Sequence, residues 1–300
     1  MSVPPGTGFP AEIEFVEVGP RDGLQNERRL IPTEAKVELN NRSLLAGIRR
    51  IEIASFVHPG RVPQMADAEG VCAALAERTD ICRIGLALNL RGAERALATG
   101  AIDEIGAVTA ASDGFARANQ GQSSAEATAT AGEVLRLAVA AGRSAQVTIS
   151  TAFGCPFDGS VDPQAVVRMA IRLAEWAPRE IALADTIGIA RPAEVAHLVH
   201  AVRRAIGPIP VRVHFHDTRG TALANVRAAI AAGASVVDGS VGGLGGCPFA
   251  PGAPGNVASE QVIAMLDDAG VATGVSATAL DAAGRWVRDL IGSIESPDRA

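Results

Sequence analysis

The chain has 300 residues, 48% of them hydrophobic and only 3% aromatic, with 27 Lys and Arg against 33 Asp and Glu for a formal net charge of −6. That balance offers no general field for nucleic acid and, with no Tyr at all, no stacking platform for single strands. No stretch approaches the roughly 18 charge-free apolar residues of a membrane span, and the first residues, MSVPPGTGFP, lack the regions of a secretory signal.

Short runs rich in Val and Ile alternate with Ala/Leu segments of helical period. In chain order, the strand candidates are Glu14–Gly19, Ile48–Ser55, Cys82–Leu88, Glu104–Thr109, Ala145–Thr151, Glu180–Asp185, Val211–His216 and Val236–Val241. Between them the period predicts helices over Thr33–Ala46, Gln64–Arg78, Gly92–Ala98, Ser123–Ala141, Asp162–Trp176, Pro192–Ala205 and Thr221–Ala232, followed by Asn256–Ala269 and Ser276–Leu290. Thr33 is an N-cap candidate, Pro163 and Pro192 suit a first turn, and Gly47, Gly100, Gly142 and Gly233 read as helix stops. Eight β–α units with no linker between them indicate one α/β domain over residues 1–300. The expected fold is a (β/α)8 TIM barrel over about 12–270 with an extra C-terminal helix within 271–300. An open doubly wound sheet is the competing fold; in either, chemistry belongs at the C-terminal ends of the strands.

The residues able to carry chemistry fall at those ends. Gly19-Pro20 stops the first strand and leaves Arg21 and Asp22 at the mouth, where an Asp could bind a hard cation and an Arg could stabilise an oxyanion; a surface turn with a local ion pair is the plainer reading. In Val213-His214-Phe215-His216, alternate residues share a face, so two inward imidazoles can reach one metal. His58 lies in a loop, and His197 and His200 lie on a helix, so the remaining ligands must be oxygen donors. That points to Mg2+ or Mn2+ rather than zinc. The Gly-rich segment Gly242–Asn256 has the freedom of a closing lid, with Cys247 riding on it and Asn256 offering an amide oxygen at the start of the next helix. Glu52, in an apolar strand, needs a partner, for which Arg21 is the obvious choice; Asp185 sits similarly at the end of strand six. Either could be only a structural acid. The four cysteines, Cys72, Cys82, Cys155 and Cys247, form no CxxC pair, consistent with a reducing cytosol. Cys72 and Cys82 read as apolar fillers, and Cys155 has no visible activating partner.

The strings EVGPRDGLQNE, IEIASFVHPGRVPQMAD, STAFGCPFDG, LADTIG, VHFHDTRGTALAN and GGLGGCPFAPGAPGN, in order from about Glu14 to Asp268, strongly resemble the 3-hydroxy-3-methylglutaryl-CoA lyase family. Those enzymes belong to the metallolyase group of TIM barrels that also contains isopropylmalate and homocitrate synthases. The resemblance implies cleavage of 3-hydroxy-3-methylglutaryl-CoA, or a close 3-alkyl homologue, to acetoacetate and acetyl-CoA. It also implies a metal held by Asp22, His214, His216 and Asn256, with Arg21 on the enolate oxygen and Glu52 and Asp185 orienting Arg21 and the substrate hydroxyl. Cys247 would assist proton transfer, alongside His214. The expected partner is an acyl-CoA, and a homo-oligomer with the dimer favoured is the expected assembly, in the cytoplasm. Thr148, His58-Pro59-Gly60-Arg61 and Arg219 stand where the family often has Tyr, S-P-K-W and Tyr. The rival readings are a Claisen-type synthase joining acetyl-CoA to a 2-oxo acid, and a barrel that binds acyl-CoA without turning it over.

Overall fold

Eight strands pair in chain order, all parallel, and the eighth pairs with the first, so the computed structural model, which describes residues 9–246 and 255–295, is a closed barrel. The strands are β1 (Glu14–Glu17), β2 (Arg50–Ser55), β3 (Cys82–Ala87), β4 (Glu104–Ala110), β5 (Ser144–Ser150), β6 (Ile181–Asp185), β7 (Val211–Phe215) and β8 (Val236–Gly239). Pairing of Phe15 with Val237 and Glu17 with Gly239 closes the ring and excludes the open sheet.

The outer layer consists of α1 (Thr33–Leu45), α2 (Ala68–Ala74), α3 (Leu90–Ala98), α4 (Asp113–Gln120), α5 (Ser124–Ala140), α6 (Pro163–Ala174), α7 (Pro192–Ile206), α8 (Ala222–Ala231), α9 (Ser259–Asp268) and α10 (Ala277–Glu295). Local chemistry sets several ends. Asp162 Oδ1 accepts from Gln164 N (2.9 Å), with Pro163 just behind it in the first turn. Ser123 and Glu126 form a reciprocal capping box on α5. Gly47, Gly100, Gly142 and Gly233 follow their helices with positive φ, as expected of stops. Helix α10 extends beyond the eight units and packs on α1, with the Arg42 guanidinium 4.5 Å from the centre of the Trp286 ring.

Three local expectations are corrected. Thr33 is not the cap of α1: Pro32 holds that place, and Thr33 Oγ1 donates to Asp67 Oδ2 (2.7 Å). The helix expected over Gln64–Arg78 is a 3-10 turn (Pro63–Met65) and the shorter α2, because Asp67 between them leaves helical geometry while Lys36 and Thr33 hold its carboxylate. Helix α4 lies where the sequence pattern gives none; eight residues with an internal Gly114 carry too little periodicity, and Gly121 in the left-handed region ends it.

Period two divides each strand between two environments. Val211, Val213, Phe215 and Val237 point outward into the aliphatic cluster beneath the helices, together with Leu135, Val134 and Ile149. Inside the barrel a small apolar group, Val16, Val18, Ile84 and Val236, fills one part. Much of the rest of the floor is charged. Arg50 pairs with Glu104 and, at 2.7 Å, with Glu180; Arg212 pairs with Glu180, Glu52 and Asp238.

Candidate active site

The chain leaves β1 through one π-turn, Gly19–Gly23, in which the amides of Arg21, Asp22 and Gly23 all converge on Val18 O at 3.2, 2.7 and 3.2 Å. Such turns re-aim side chains at functional positions. The glycines are sterically required here. A Cβ on Gly19 would lie 2.7 Å from Glu17 Oε1, and one on Gly23 would lie 2.6 Å from Ser240 Oγ. Wound this way, Arg21 and Asp22 face the barrel axis rather than the outer surface. Glu17 anchors the turn from below, accepting from Gly19 N (2.7 Å), Val241 N (2.9 Å) and Ser259 Oγ (2.6 Å). Burial pushes its carboxyl up to about 7 against the pull of these donors.

Arg21 donates through Nε (2.8 Å) and Nη2 (2.5 Å) to Glu52 Oε2 on β2, and through Nη1 (2.5 Å) to Asp22 Oδ1. The partner expected for Glu52 is therefore the one it has. His214 on β7 and His216 just beyond it place their ring centres 5.3 Å apart. One possible ligand atom each from Asp22, His214 and His216 falls within 4.8 Å of the others. Asn256 joins them through the backbone: it bridges to His216, while Asp217 N donates to Gly255 O (2.9 Å) and Val257 N to Phe215 O (3.0 Å). It precedes α9 by three residues rather than starting that helix. Its Nδ2 donates to Asp22 Oδ2 (2.8 Å) and Leu244 O (3.0 Å).

Among the described residues, two buried atoms in this cluster have no hydrogen-bond partner, Asn256 Oδ1 and His216 Nδ1. A buried acceptor left unpaired is costly, so an amide oxygen and an imidazole nitrogen idle beside a carboxylate fit a divalent cation. Charge agrees. At the site, Arg21 and Arg212 face Asp22, Glu52 and Asp238, one carboxylate in excess. Burial alone would raise the Asp22 carboxyl, but Arg21 foremost, then the two histidines, hold it well below the usual carboxylate range. His216, buried and beside His214, is lowered to about 4 and is a neutral imidazole at pH 7. Burial disfavours charge on His214 as well, yet Asp238 and Asp22 outweigh it and raise that pKa. Asp238 Oδ1 lies 2.8 Å from His214 Nδ1, which leaves Nε2 as the nitrogen facing the cluster.

Above the cluster opens a cavity of about 510 Å³. The charged group forms its floor, Leu86, Leu88, Val108 and Phe115 form an apolar wall, and Thr148 and Arg61 also line it. Arg219 lies exposed in the loop after β7.

Asp185 is the exception among the expected residues. Its carboxylate accepts from Ile189 N (3.1 Å) and Ala190 N (2.8 Å), so it holds the loop after β6 instead of orienting Arg21. Cys247 lies outside the described residues. Cys155 is buried and its Sγ accepts from Phe157 N and Asp158 N, both at 3.3 Å, a structural turn. Sequence reasoning missed Arg212 and Asp238. The signal was present: Arg212 shares the face of His214 and His216 two residues earlier, and Asp238 is a lone charge in an apolar strand. Breaking one side of so buried a pair typically destabilises by about 3–5 kcal/mol.

The model of the HMGL-like family matches residues 12–287. The human cytoplasmic 3-hydroxy-3-methylglutaryl-CoA lyase is 41% identical over 281 residues, 94% of this chain and 76% of that one. The crystal structure of the Bacillus subtilis HMG-CoA lyase superposes with a TM-score of 0.91 at 40% identity, covering 95% of each chain. An HMG-CoA lyase from Acinetobacter baumannii, solved with coenzyme A and 3-methylmalate, gives a TM-score of 0.88 at 37% identity over 94% of this chain and 92% of that one.

Proposed function

The chain belongs to the HMGL-like family, and from that premise we propose that it is a carbon–carbon lyase cleaving 3-hydroxy-3-methylglutaryl-CoA to acetoacetate and acetyl-CoA. The observation that carries this reading is the convergence of Asp22, His214 and His216 at the C-terminal mouth of the barrel, beside the unpaired Asn256 Oδ1. These four side chains would hold a divalent cation. A donor set of two oxygens and two nitrogens with no thiolate among the described residues supports Mg2+ or Mn2+ over zinc. Such an ion supplies Lewis acidity that lowers the pKa of a tertiary alcohol and fixes its geometry.

The reaction removes the proton of the C3 hydroxyl and breaks the C2–C3 bond. The electron pair passes into the thioester as an enolate, C3 becomes a ketone, and C2 takes up a proton. Arg21 is the residue for the enolate oxygen: Glu52 and Asp22 hold its guanidinium in place before substrate arrives, so charge develops against a fixed donor. His214, with Nδ1 held by Asp238, would give Nε2 to the cation rather than take a proton, so the hydroxyl proton, made acidic by that cation, leaves to solvent. Cys247 is assigned the proton delivered to C2, on the family resemblance alone. The apolar wall beside Thr148 faces the cavity without a charge to repel an alkyl group, which supports an acyl-CoA with a 3-methyl or a longer 3-alkyl substituent.

No helix among the described residues is long and apolar enough to cross a membrane. The human relative named cytoplasmic and the free Cys72, Cys82 and Cys155 support a cytosolic setting. A homodimer remains the expected assembly, which light scattering on the purified protein would test. The reaction itself is tested with a panel of 3-hydroxy-3-alkylglutaryl-CoA thioesters and Mg2+ or Mn2+. Acetyl-CoA with an equimolar 3-oxo acid is the expected result. No cleavage of any member, or release of free CoA from acetyl-CoA plus 2-oxo acids instead, would overturn it.

A further inference from the structure

The outer partners of the site residues converge on one side chain. Arg212 is 2% exposed, on β7, with its guanidinium inside the barrel. Its Nε donates to Asp238 Oδ2 (2.6 Å), its Nη2 to Glu52 Oε1 (3.3 Å) and its Nη1 to Glu180 Oε1 (3.4 Å). Two of these carboxylates spend their second oxygen on the site. Asp238 Oδ1 meets His214 Nδ1 at 2.8 Å, and Glu52 Oε2 takes both Nε and Nη2 of Arg21. Arg21 in turn holds Asp22. The contacts therefore run around the floor of the cavity from Asp22 through Arg21, Glu52, Arg212 and Asp238 to His214, and the gap between Asp22 and His214, whose ligand atoms lie within 4.8 Å, is the one a cation would close.

We propose that Arg212 is a positioning residue whose single fork ties the guanidinium that meets the substrate to the imidazole that meets the cation, so that the two are set in one frame. A planar guanidinium is suited to this because its donors diverge at fixed angles, whereas an ammonium on a flexible stem would hold one carboxylate at a time. The third carboxylate distinguishes this role from plain stability. Glu180 Oε2 leads away from the site, to Arg50 at 2.7 Å, so disturbing Glu180 perturbs the same buried network without touching either arm of that path.

The proposal rests on the lyase reading only for its kinetic readout; the affinity for Mn2+ is measured without substrate and stands if that reading fails. Arg212→Lys and Glu180→Gln are compared with the unaltered protein by Mn2+ titration, thermal unfolding and steady-state kinetics. Both variants are expected to lower the melting temperature. Arg212→Lys alone should weaken Mn2+ roughly tenfold and lower kcat by about 10–100-fold, the range of outer-shell substitutions, with KM changed far less. Glu180→Gln should leave both within about twofold, since it reaches neither arm.

Should Arg212→Lys fail to fold, the pair Arg212→Met with Glu180→Gln removes one buried charge of each sign, and the same losses are expected of it. Unchanged Mn2+ affinity and kcat in a folded Arg212 variant, or equal losses in Glu180→Gln, would overturn the proposal and leave Arg212 a structural ion.

Discussion

The two faces of the same eight strands are built on different terms. Outward, β7 offers Val211, Val213 and Phe215 to the helices; inward, it offers Arg212 and His214. The outer face joins one aliphatic cluster in which many residues share the burial, at about 25 cal/mol per Å² of apolar surface. The inner face holds a few charges, each with named partners and directions. The outer face thus bears on stability alone, while the inner face bears on stability and also on what the barrel can do, so only inner-face substitutions should cost turnover.

The comparison is tested most severely at His214. His214→Ala should abolish metal-dependent turnover, a loss of roughly 10³-fold or more given several kcal/mol from the cation, while the fold persists by circular dichroism. Arg21→Met should lower kcat by about 10²–10³-fold, as for removal of one oxyanion donor, and lose less in metal affinity than in kcat. Cys247→Ala should reduce turnover by about 10²-fold, the lower end for acid–base groups, with Mn2+ binding spared; equal losses in both would remove Cys247 from proton transfer. Asp238→Asn, which acts on the site through His214, should weaken Mn2+ by about 10–100-fold. At the far end, Ile149→Val on the outer face of β5 should lower stability by about 1 kcal/mol in urea and leave kcat unchanged. A kinetic defect there would break the division between the faces.

How far each face can be read from the sequence follows from the same physics. Outward residues repeat with the period of their element, so the strands and nearly all the helices could be placed, with most ends displaced by a residue or two, although α9 starts three residues later than expected and α10 ends five residues later. Helix α4 was too short to repeat, and α2 was shortened where Asp67 is held by Lys36 and Thr33, residues far off in the chain. Within the site, Arg21, Asp22, Glu52, His214 and His216 were legible because strand ends and alternation say which side chains meet at a barrel mouth, whereas Asn256 was read as the start of a helix that begins three residues later. The destination of Asp185 was not, because a carboxylate bound to two amides a few residues onward looks in sequence like one aimed at substrate. Arg212 and Asp238 had a pattern to betray them, but a charge inside a barrel acquires its meaning from partners on other strands.

The central claim is that the inner face assembles one divalent-cation site on which cleavage depends, and its most direct test is a titration of chelator-stripped protein with Mg2+ or Mn2+. Acetoacetate formation should be absent at the start and return in proportion to the ion until about one per chain is bound. Full turnover in the stripped protein, or ion binding that survives loss of His214 and His216 together, would contradict it.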